Sequence, residues 1–180
     1  MSQETPTPTP ANVPAEQQVS EADIQALAEQ LGRPPRGVHS IAARCVCGRP
    51  AVVRTLPRLD DGTPFPTTLY LTHPGAVKAM STLEAEHTME ELKAELAQSE
   101  EMRAAYERAH AAYLADRAAL GEVPEIAGVS AGGMPTRIKC LHALAGHALA
   151  AGEGVNPVGD RALQIAQERG LWDKSKCSCE

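Results

Sequence analysis

Proline, glycine and other turn residues divide the region between residues 34 and 74 into short β-prone runs. These runs cover residues 38–43, 51–56 and 67–72, and the turn-rich stretches RCVCGRP and LDDGTPFP lie between them. Short strands bounded by turn residues pair most simply with their neighbours along the chain. The sequence therefore predicts a small antiparallel meander of three strands.

Helix signals lie on both sides of this predicted meander. Ser20 precedes an amphipathic run that has Asp23 at its third position and Gly32 at its end, which predicts a short capped helix. After the meander, Pro74 fits the first position of a mostly helical region that runs to Leu120. We therefore expect helices to flank the sheet in the chain order.

Capping residues divide the second half of the chain further. Thr88 opens a capping box and Ser99 precedes two glutamates, so both are predicted to begin new helices. A later helix is predicted from Thr136 to Gly152, and a last one over residues 158–169. The fold class predicted is α+β, with a small antiparallel three-stranded sheet packed against four to six helices.

The composition of the two ends sets the predicted domain boundaries. The chain has 180 residues, and residues 1–18 are rich in Thr, Pro and Gln and almost free of large apolar side chains. Such a segment buries too little apolar surface to offset its ordering entropy, so we expect a disordered N-terminal tail. Residues 19–172 are predicted to form one domain, and residues 173–180 a flexible tail that contains cysteine.

Charge and hydropathy argue against two classes of partner. The formal net charge is −6 and no block of Lys or Arg follows a predicted face, so nucleic-acid binding is not expected. The apolar runs are far shorter than the roughly 20 residues that span a bilayer, so membrane insertion is not expected either. The N-terminus lacks the pattern of a secretory signal, which favours a cytoplasmic protein with reduced cysteines.

The most specific candidate for chemistry is the pair Cys45 and Cys47. In an extended strand, side chains two positions apart point to the same face, about 6.6 Å apart along the backbone, so both thiolates are able to bind one ion. His73 follows the third predicted strand and offers a third ligand. Cys140 offers a fourth, with His142 as the alternative, and the set predicts a zinc site.

The chain ends with a second C-x-C pair, Cys177 and Cys179. This pair has the spacing needed to extend the metal site or to act as a thiol relay. Because it lies in a short polar terminus, the sequence favours an incidental mobile tail.

A second group of residues contains the side-chain types of an enzyme active site. Glycine amides at a helix start, with two nearby cations, form a candidate anion site, consisting of Gly132, Gly133, Arg137 and Lys139. Beside it, His142 or His147 is a candidate acid or base and Asp160 a candidate to orient it. These residues would suit a small hydrolase of phosphorylated substrates. The same residues also fit a connecting loop and a helix start, and whether the chain is an enzyme stays open.

Three motifs in order resemble one known family. RCVCGRPAVV, PRLDDGTPFPTTLYLTHP and GGMPTRIKCLHALAGHALAAGEGVNPVGD resemble the Domain of Unknown Function 501 family, conserved hypothetical proteins found mainly in actinobacteria. The resemblance implies no established activity. It does imply a gene neighbourhood with a septum-formation initiator and an exopolyphosphatase, hence a link to cell division. In the family a cysteine commonly stands where this chain has His73, which keeps a metal-ligating residue type there.

Together, these patterns lead to ranked functional hypotheses. The first is a non-enzymatic cytoplasmic protein that carries a structural zinc ion and binds another protein. The second is the phosphate-directed hydrolase built on His142, His147 and Asp160. The third is a thiol-redox protein, which requires Cys45 or Cys47 to be exposed with a lowered pKa.

Overall fold

A computed structural model describes residues 13–179 of the protein. The predicted disordered tail, residues 1–18, therefore lies mostly outside the described residues. Its described part contains a short 3₁₀ turn at Ala15–Gln17. Three strands and six α-helices follow: α1 Glu21–Leu31, β1 Val38–Arg44, β2 Pro50–Thr55, β3 Leu69–Leu71, α2 Pro74–Ala85, α3 Thr88–Gln98, α4 Glu100–Ala118, α5 Leu141–Ala151 and α6 Pro157–Glu168.

The three strands form one antiparallel sheet in the order β1-β2-β3. Ile41 pairs with Val53, and Val52 pairs with Leu71, so neighbours in the chain are neighbours in the sheet. Alternate side chains of a strand face opposite sides of a sheet. Val53 accordingly packs with Leu27 of α1 on one side, while Val52 and Leu71 join the main core. The predicted meander and the α+β class are confirmed.

Helix α5 is the central element of the main core. Most of its residues are buried, and it packs against β3 as well as α2 and α6. Two glycines permit this close packing. A side chain at Gly146 would meet the backbone oxygen of Leu69 at 3.1 Å, and one at Gly159 would overlap the carbonyl group of Leu144. Backbones therefore touch where most helices are held apart by side chains.

Several predicted helix boundaries are confirmed. Ser20 and Asp23 form a reciprocal capping box at the start of α1. Ser99 caps α4 through the backbone N–H of Met102, at 3.1 Å. Pro74 is the first residue of α2, and Gly152 ends α5.

One predicted cap and one predicted helix start are wrong. Thr88 is the first residue of α3, so a helix begins there as predicted, but the cap position belongs to His87, in a left-handed conformation. The helix predicted from Thr136 begins only at Leu141. The backbone N–H of Lys139 donates to the carbonyl oxygen of Gly132, and the hydroxyl of Tyr106 donates to that of Arg137. These contacts hold the segment before Leu141 as a loop, because the N–H of Lys139 and the carbonyl oxygen of Arg137 are unavailable to a helix.

Among the described residues, no helix is both long enough and apolar enough to cross a membrane.

Replacing Gly159 with Ala should destabilise the protein, although alanine normally favours a helix over glycine by about 1 kcal/mol. The added methyl group would overlap Leu144 and reach Ala148 Cβ at 2.8 Å. We expect a net loss of about 1–3 kcal/mol in the free energy of unfolding, measured by urea denaturation. Gln164→Ala, at an exposed position of the same helix, is the control and should change little. A stabilised Gly159→Ala variant would contradict the close packing of α5 on α6.

Candidate metal centre

Four cysteines from two distant segments meet at one edge of the molecule. Cys45 and Cys47 lie in the hairpin between β1 and β2, and Cys177 and Cys179 lie in the segment after α6. The four sulfur atoms all lie within 4.8 Å of one another, and the Sγ atoms of Cys47 and Cys179 are 3.5 Å apart. All four are free thiols. We call this group the cysteine centre.

A tight turn orients the first pair of thiols. The backbone N–H of Gly48 donates to the carbonyl oxygen of Cys45, and the N–H of Cys45 donates to that of Arg49, both at 2.8 Å. Gly48 has a φ of 90°, a conformation that other residues rarely adopt. The prediction placed the two cysteines in an extended strand. Their thiols converge through a turn, because β1 ends at Arg44.

The second pair reaches the centre because the chain reverses after α6. Gly170 has a φ of 68°, and the N–H of Leu171 donates to the carbonyl oxygen of Ala166 at 2.8 Å. Trp172 is buried, and Asp173 accepts a bond from the N–H of Ser175 at 2.9 Å. This path carries the chain end back over the N-terminus of α2. The short, polar composition of this segment had predicted a flexible tail.

Gly75 gives the returning segment its room. A side chain at this position would meet Ser178 Oγ at 2.5 Å and Trp172 Cδ1 at 2.7 Å. Trp172 also packs edge-on against the ring of His73, with a centroid distance of 5.2 Å. The segment that carries Cys177 and Cys179 therefore depends on close contact with the first turn of α2.

His73 lies beside the cysteine centre and caps α2. Its Nδ1 accepts hydrogen bonds from the backbone N–H groups of Gly75 and Ala76, at 3.1 and 3.3 Å. The proton of the neutral ring must then be on Nε2, which lies 3.5 Å from the sulfur of Cys179. His73 is thus oriented to donate a hydrogen bond to that sulfur. Burial lowers the pKa of His73, which favours this neutral form.

Arg44 ties the hairpin to the N-terminal part of the molecule. Its guanidinium makes an ion pair with Asp23, at 2.7 Å to Oδ1 and 3.0 Å to Oδ2. It also donates to the carbonyl oxygens of Glu16, Gln18 and Gly48, at 2.9, 3.0 and 2.9 Å. The planar guanidinium has the donors to satisfy all of these acceptors at once. The residue before Cys45 is therefore held rigidly.

The electrostatic environment differs among the thiols. The backbone N–H of Arg49 lowers the pKa of the exposed Cys47 thiol to about 7. Desolvation instead raises the pKa of Cys179. Four thiolates so close together repel one another, and a bound cation removes that repulsion. Tetrahedral coordination by sulfur at about 2.3 Å places sulfur atoms about 3.8 Å apart, which the cluster accommodates.

The structure places the other predicted ligands elsewhere. Cys140 and His142 form a separate group with Glu84, in which the ligand atoms also lie within 4.8 Å of one another. Cys140 precedes the first turn of α5 and His142 lies within it. Of the predicted set, Cys45 and Cys47 lie in the cysteine centre and His73 lies against it.

The residues of the alternative hydrolase site have separate partners. His147 is buried, accepts a hydrogen bond from Asn156 at 3.1 Å, and packs edge-on against Tyr113. Desolvation lowers its pKa to about 4. Asp160 accepts from the N–H of Gly154 at 2.8 Å. No described hydrogen bond joins His142, His147 and Asp160 to one another.

The predicted anion site is also differently arranged. The carbonyl oxygens of Gly132 and Gly133 accept from the N–H groups of Lys139 and Arg137, at 2.7 and 2.9 Å. The N-terminus of α5 faces a carboxylate of the same chain, because Leu141 N–H donates to Glu84 Oε1 at 2.7 Å. The positive end of that helix is therefore already compensated.

Comparison with known proteins identifies the family. A family model described as "Protein of unknown function (DUF501)" matches residues 41–164. This match covers more than half of the chain, so the protein belongs to that family, and the resemblance drawn from the three motifs is confirmed. No curated protein and no solved structure matched the chain. The matched range includes Cys45 and Cys47 and stops before Cys177.

Sequence reasoning missed two features of these sites. The repeated C-x-C spacing was the available signal for Cys177 and Cys179, although nothing in the sequence indicates that their segment folds back. Glu84 has no motif around it, since it is one of several acidic residues between positions 84 and 101. Only tertiary structure brings it to Cys140.

The ion pair between Asp23 and Arg44 should appear as a pH dependence of stability. Hydrogen bonding to Arg44 lowers the pKa of Asp23 from 3.8 to about 2. A carboxyl group with a lowered folded pKa stabilises the native state above its unfolded pKa, and this is lost as the pH falls through the folded value. Relative to Asp23→Asn, the wild type should lose about 2 kcal/mol of unfolding free energy between about pH 4 and about pH 2.

Urea denaturation at a series of pH values measures this difference. Asp60→Asn, at an exposed aspartate of the β2–β3 connection, serves as the control and should follow the wild type. Parallel profiles for the wild type and Asp23→Asn would contradict the role given to the ion pair.

Proposed function

We propose that this protein is a non-enzymatic cytoplasmic protein that carries a structural zinc ion at Cys45, Cys47, Cys177 and Cys179 and binds another protein. The observation that carries the proposal is the convergence of four free thiols from two segments. Cys47 and Cys179 are 132 positions apart in the chain. Two cysteines lying close together by chance would need no explanation. Four sulfur atoms within one cluster are the number and type of ligands that a tetrahedral metal ion takes.

The ligand set supports zinc in a structural role. Four thiolates select soft or borderline ions such as zinc, and four protein ligands leave no open position for a substrate. Such an ion would join the β1–β2 hairpin to the chain end. It would thereby close a loop of most of the domain, where a cross-link restricts the unfolded chain strongly.

In this proposal His73 acts beside the metal and not as a ligand. Its Nδ1 is occupied by two backbone donors, and Nε2–H points to the sulfur of Cys179. A hydrogen bond to a coordinating thiolate orients the ligand and spreads its charge. Cys179 then fills the ligand position that the sequence analysis gave to His73, and Cys177 the position given to Cys140.

Removing one pair of ligands tests the metal. Purified Cys45→Ser, Cys47→Ser protein should retain almost none of the zinc that survives dialysis against EDTA in the wild type. Its free energy of unfolding should fall by about 3–5 kcal/mol, the scale expected for opening a cross-link that closes a long loop. Elemental analysis and urea denaturation measure the two effects. Cys140→Ser, the remaining cysteine, is the matched control and should keep the EDTA-resistant zinc. The proposal would be contradicted if the purified wild type contained no zinc and the double variant had the same free energy of unfolding as the wild type.

The surface beside the hairpin supports the protein-binding part of the proposal. A groove of about 760 Å³ runs between α1 and the hairpin and is lined by residues that include Glu29, Arg44 and Arg49. Val46, between the two cysteines, is 61% exposed at the turn. An apolar tip beside a groove with charges of both signs suits contact with a protein segment. Binding of the metal would fix the shape of this surface.

Site-specific photo-crosslinking tests this surface. A photoreactive amino acid at position 46 should give a discrete protein adduct in cells, because Val46 would contact the partner. Val129 is similarly exposed, at 57%, and is the matched control position that should give none. The adduct should disappear when Cys177 and Cys179 are replaced by Ser. Equal labelling from positions 46 and 129, or none from either, would contradict a partner site at the hairpin.

One observation favours a thiol-redox function as the second candidate. Cys47 is exposed and its sulfur lies 3.5 Å from that of Cys179. A peroxide could oxidise these two thiols to a disulfide by accepting two electrons and two protons. Hydrogen peroxide would be reduced to two molecules of water, and an alkyl hydroperoxide to one alcohol and one water. Peptide mass spectrometry of peroxide-treated protein would find this bond readily in metal-free protein. A bound zinc ion would protect the thiols, so the zinc content decides between the candidates.

A further inference from the structure

A second group of metal-ligating side chains lies where α2 meets the start of α5. Glu84 comes from the last turn of α2, Cys140 occupies the cap position of α5, and His142 lies in its first turn. Their ligand atoms all lie within 4.8 Å of one another. All three residues are half-buried, so a bound ion would be shielded from bulk water on one side and open to it on the other.

The ring of His142 is oriented as the ring of a metal ligand is. Its Nε2 lies 3.2 Å from the carbonyl oxygen of Val77 and 3.1 Å from Ser81 Oγ. A carbonyl oxygen only accepts, so Nε2 carries a proton. Metal-binding histidines characteristically donate their second N–H to a backbone carbonyl in this way, which leaves the other nitrogen to the metal.

The remaining nitrogen of His142 faces the carboxylate. Nδ1 lies 3.2 Å from Glu84 Oε1. Ligand atoms about 2.0–2.1 Å from a tetrahedral zinc ion are about 3.3 Å apart, so this spacing suits two ligands of one ion. The N–H of Leu141 donates to the same oxygen at 2.7 Å, which fixes the carboxylate before any ion arrives. Both first ligands are therefore held by backbone groups.

The charges of the group also fit a divalent cation. A thiolate at Cys140 and the carboxylate of Glu84 together neutralise a 2+ ion, and the imidazole of His142 adds a neutral ligand. Without a metal, the same atoms form an ion pair between His142 and Glu84 at 3.2 Å. That pair needs a second proton on the ring, and hydrogen bonding to Cys140 together with the charge of Glu84 raises the pKa of His142.

This group is distinct from the cysteine centre. Gly75 lies beside that centre at the first turn of α2, and Glu84 lies nine residues further along the same helix. Nine residues of α-helix span about 13.5 Å, too far for one ion to serve both groups.

We propose that Glu84, Cys140 and His142 form a second metal site, which binds one zinc-like divalent transition ion and leaves its fourth position to water. Three protein ligands and a water are the arrangement of zinc sites that perform chemistry, in contrast to closed structural sites. A water bound there would be acidified by the ion. The site does not depend on the cysteine centre, because the two share no ligand.

A cobalt titration tests the site in the full-length protein. The cysteine centre is first filled with zinc. Excess metal is then removed by EDTA, the EDTA is removed by dialysis, and Co²⁺ is added. About one further equivalent should bind and give visible bands of four-coordinate cobalt with a charge-transfer band from a single thiolate. His142→Gln should lose both signals. Glu86→Gln is the matched control, since Glu86 directly follows α2 and pairs with Arg169.

Alkylation of the wild type gives a second readout that needs no variant. Zinc should slow the reaction of Cys140 with iodoacetamide by about tenfold or more, measured by peptide mass spectrometry, because the bound thiolate is no longer a free nucleophile. Unchanged alkylation of Cys140, or cobalt bands that persist in folded His142→Gln, would overturn the proposal. Zinc analysis before the titration reports on the cysteine centre separately, so failure of one site is distinguishable from failure of the other.

Discussion

The contact between the C-terminal segment and the first turn of α2 is the constraint on which the cysteine centre depends. Gly75 lets Trp172 and Ser178 approach the helix backbone, and any larger residue would push them away. Without that contact, the hairpin would present two thiols in a turn, with nothing opposite them. With it, Cys177 and Cys179 complete a cluster of four. The capping of α2 by His73 belongs to the same arrangement, since the ring that caps the helix also faces Cys179.

Helix α2 connects the two groups of metal-ligating residues. Its N-terminus lies against the cysteine centre and its last turn provides Glu84. The helix packs on α5, whose closeness to the sheet and α6 requires Gly146 and Gly159. The family model matches residues 41–164, so Glu84, Cys140 and His142 all lie within the matched region. The cysteine centre adds ligands from beyond it.

Much of the fold follows from local sequence signals. Strand breaks at turn residues predicted the meander, and Ser20, Ser99 and Pro74 marked helix starts correctly, because caps act through atoms within a few positions. The start of α5 was not predictable in this way. A loop hydrogen bond between Lys139 and Gly132 and a tertiary contact between Arg137 and Tyr106 decide it, and no local motif signals either.

The candidate sites were only partly predictable for the same reason. A C-x-C pair is visible in the sequence, but whether a polar terminus is mobile or docked depends on a buried tryptophan and a glycine a hundred positions away. Glu84 became a candidate only when folding placed it beside Cys140 and His142. Residue type and local spacing thus identify half of the cysteine centre, and long-range packing supplies the other half.

Zinc K-edge X-ray absorption on full-length protein freed of loosely held metal by EDTA tests the central claim most directly. We predict a first shell of four sulfur atoms at about 2.3 Å, with no nitrogen or oxygen ligand. Three sulfurs and one nitrogen would make His73 a ligand in place of one cysteine. A shell dominated by nitrogen and oxygen, or protein without zinc, would contradict a four-cysteine centre.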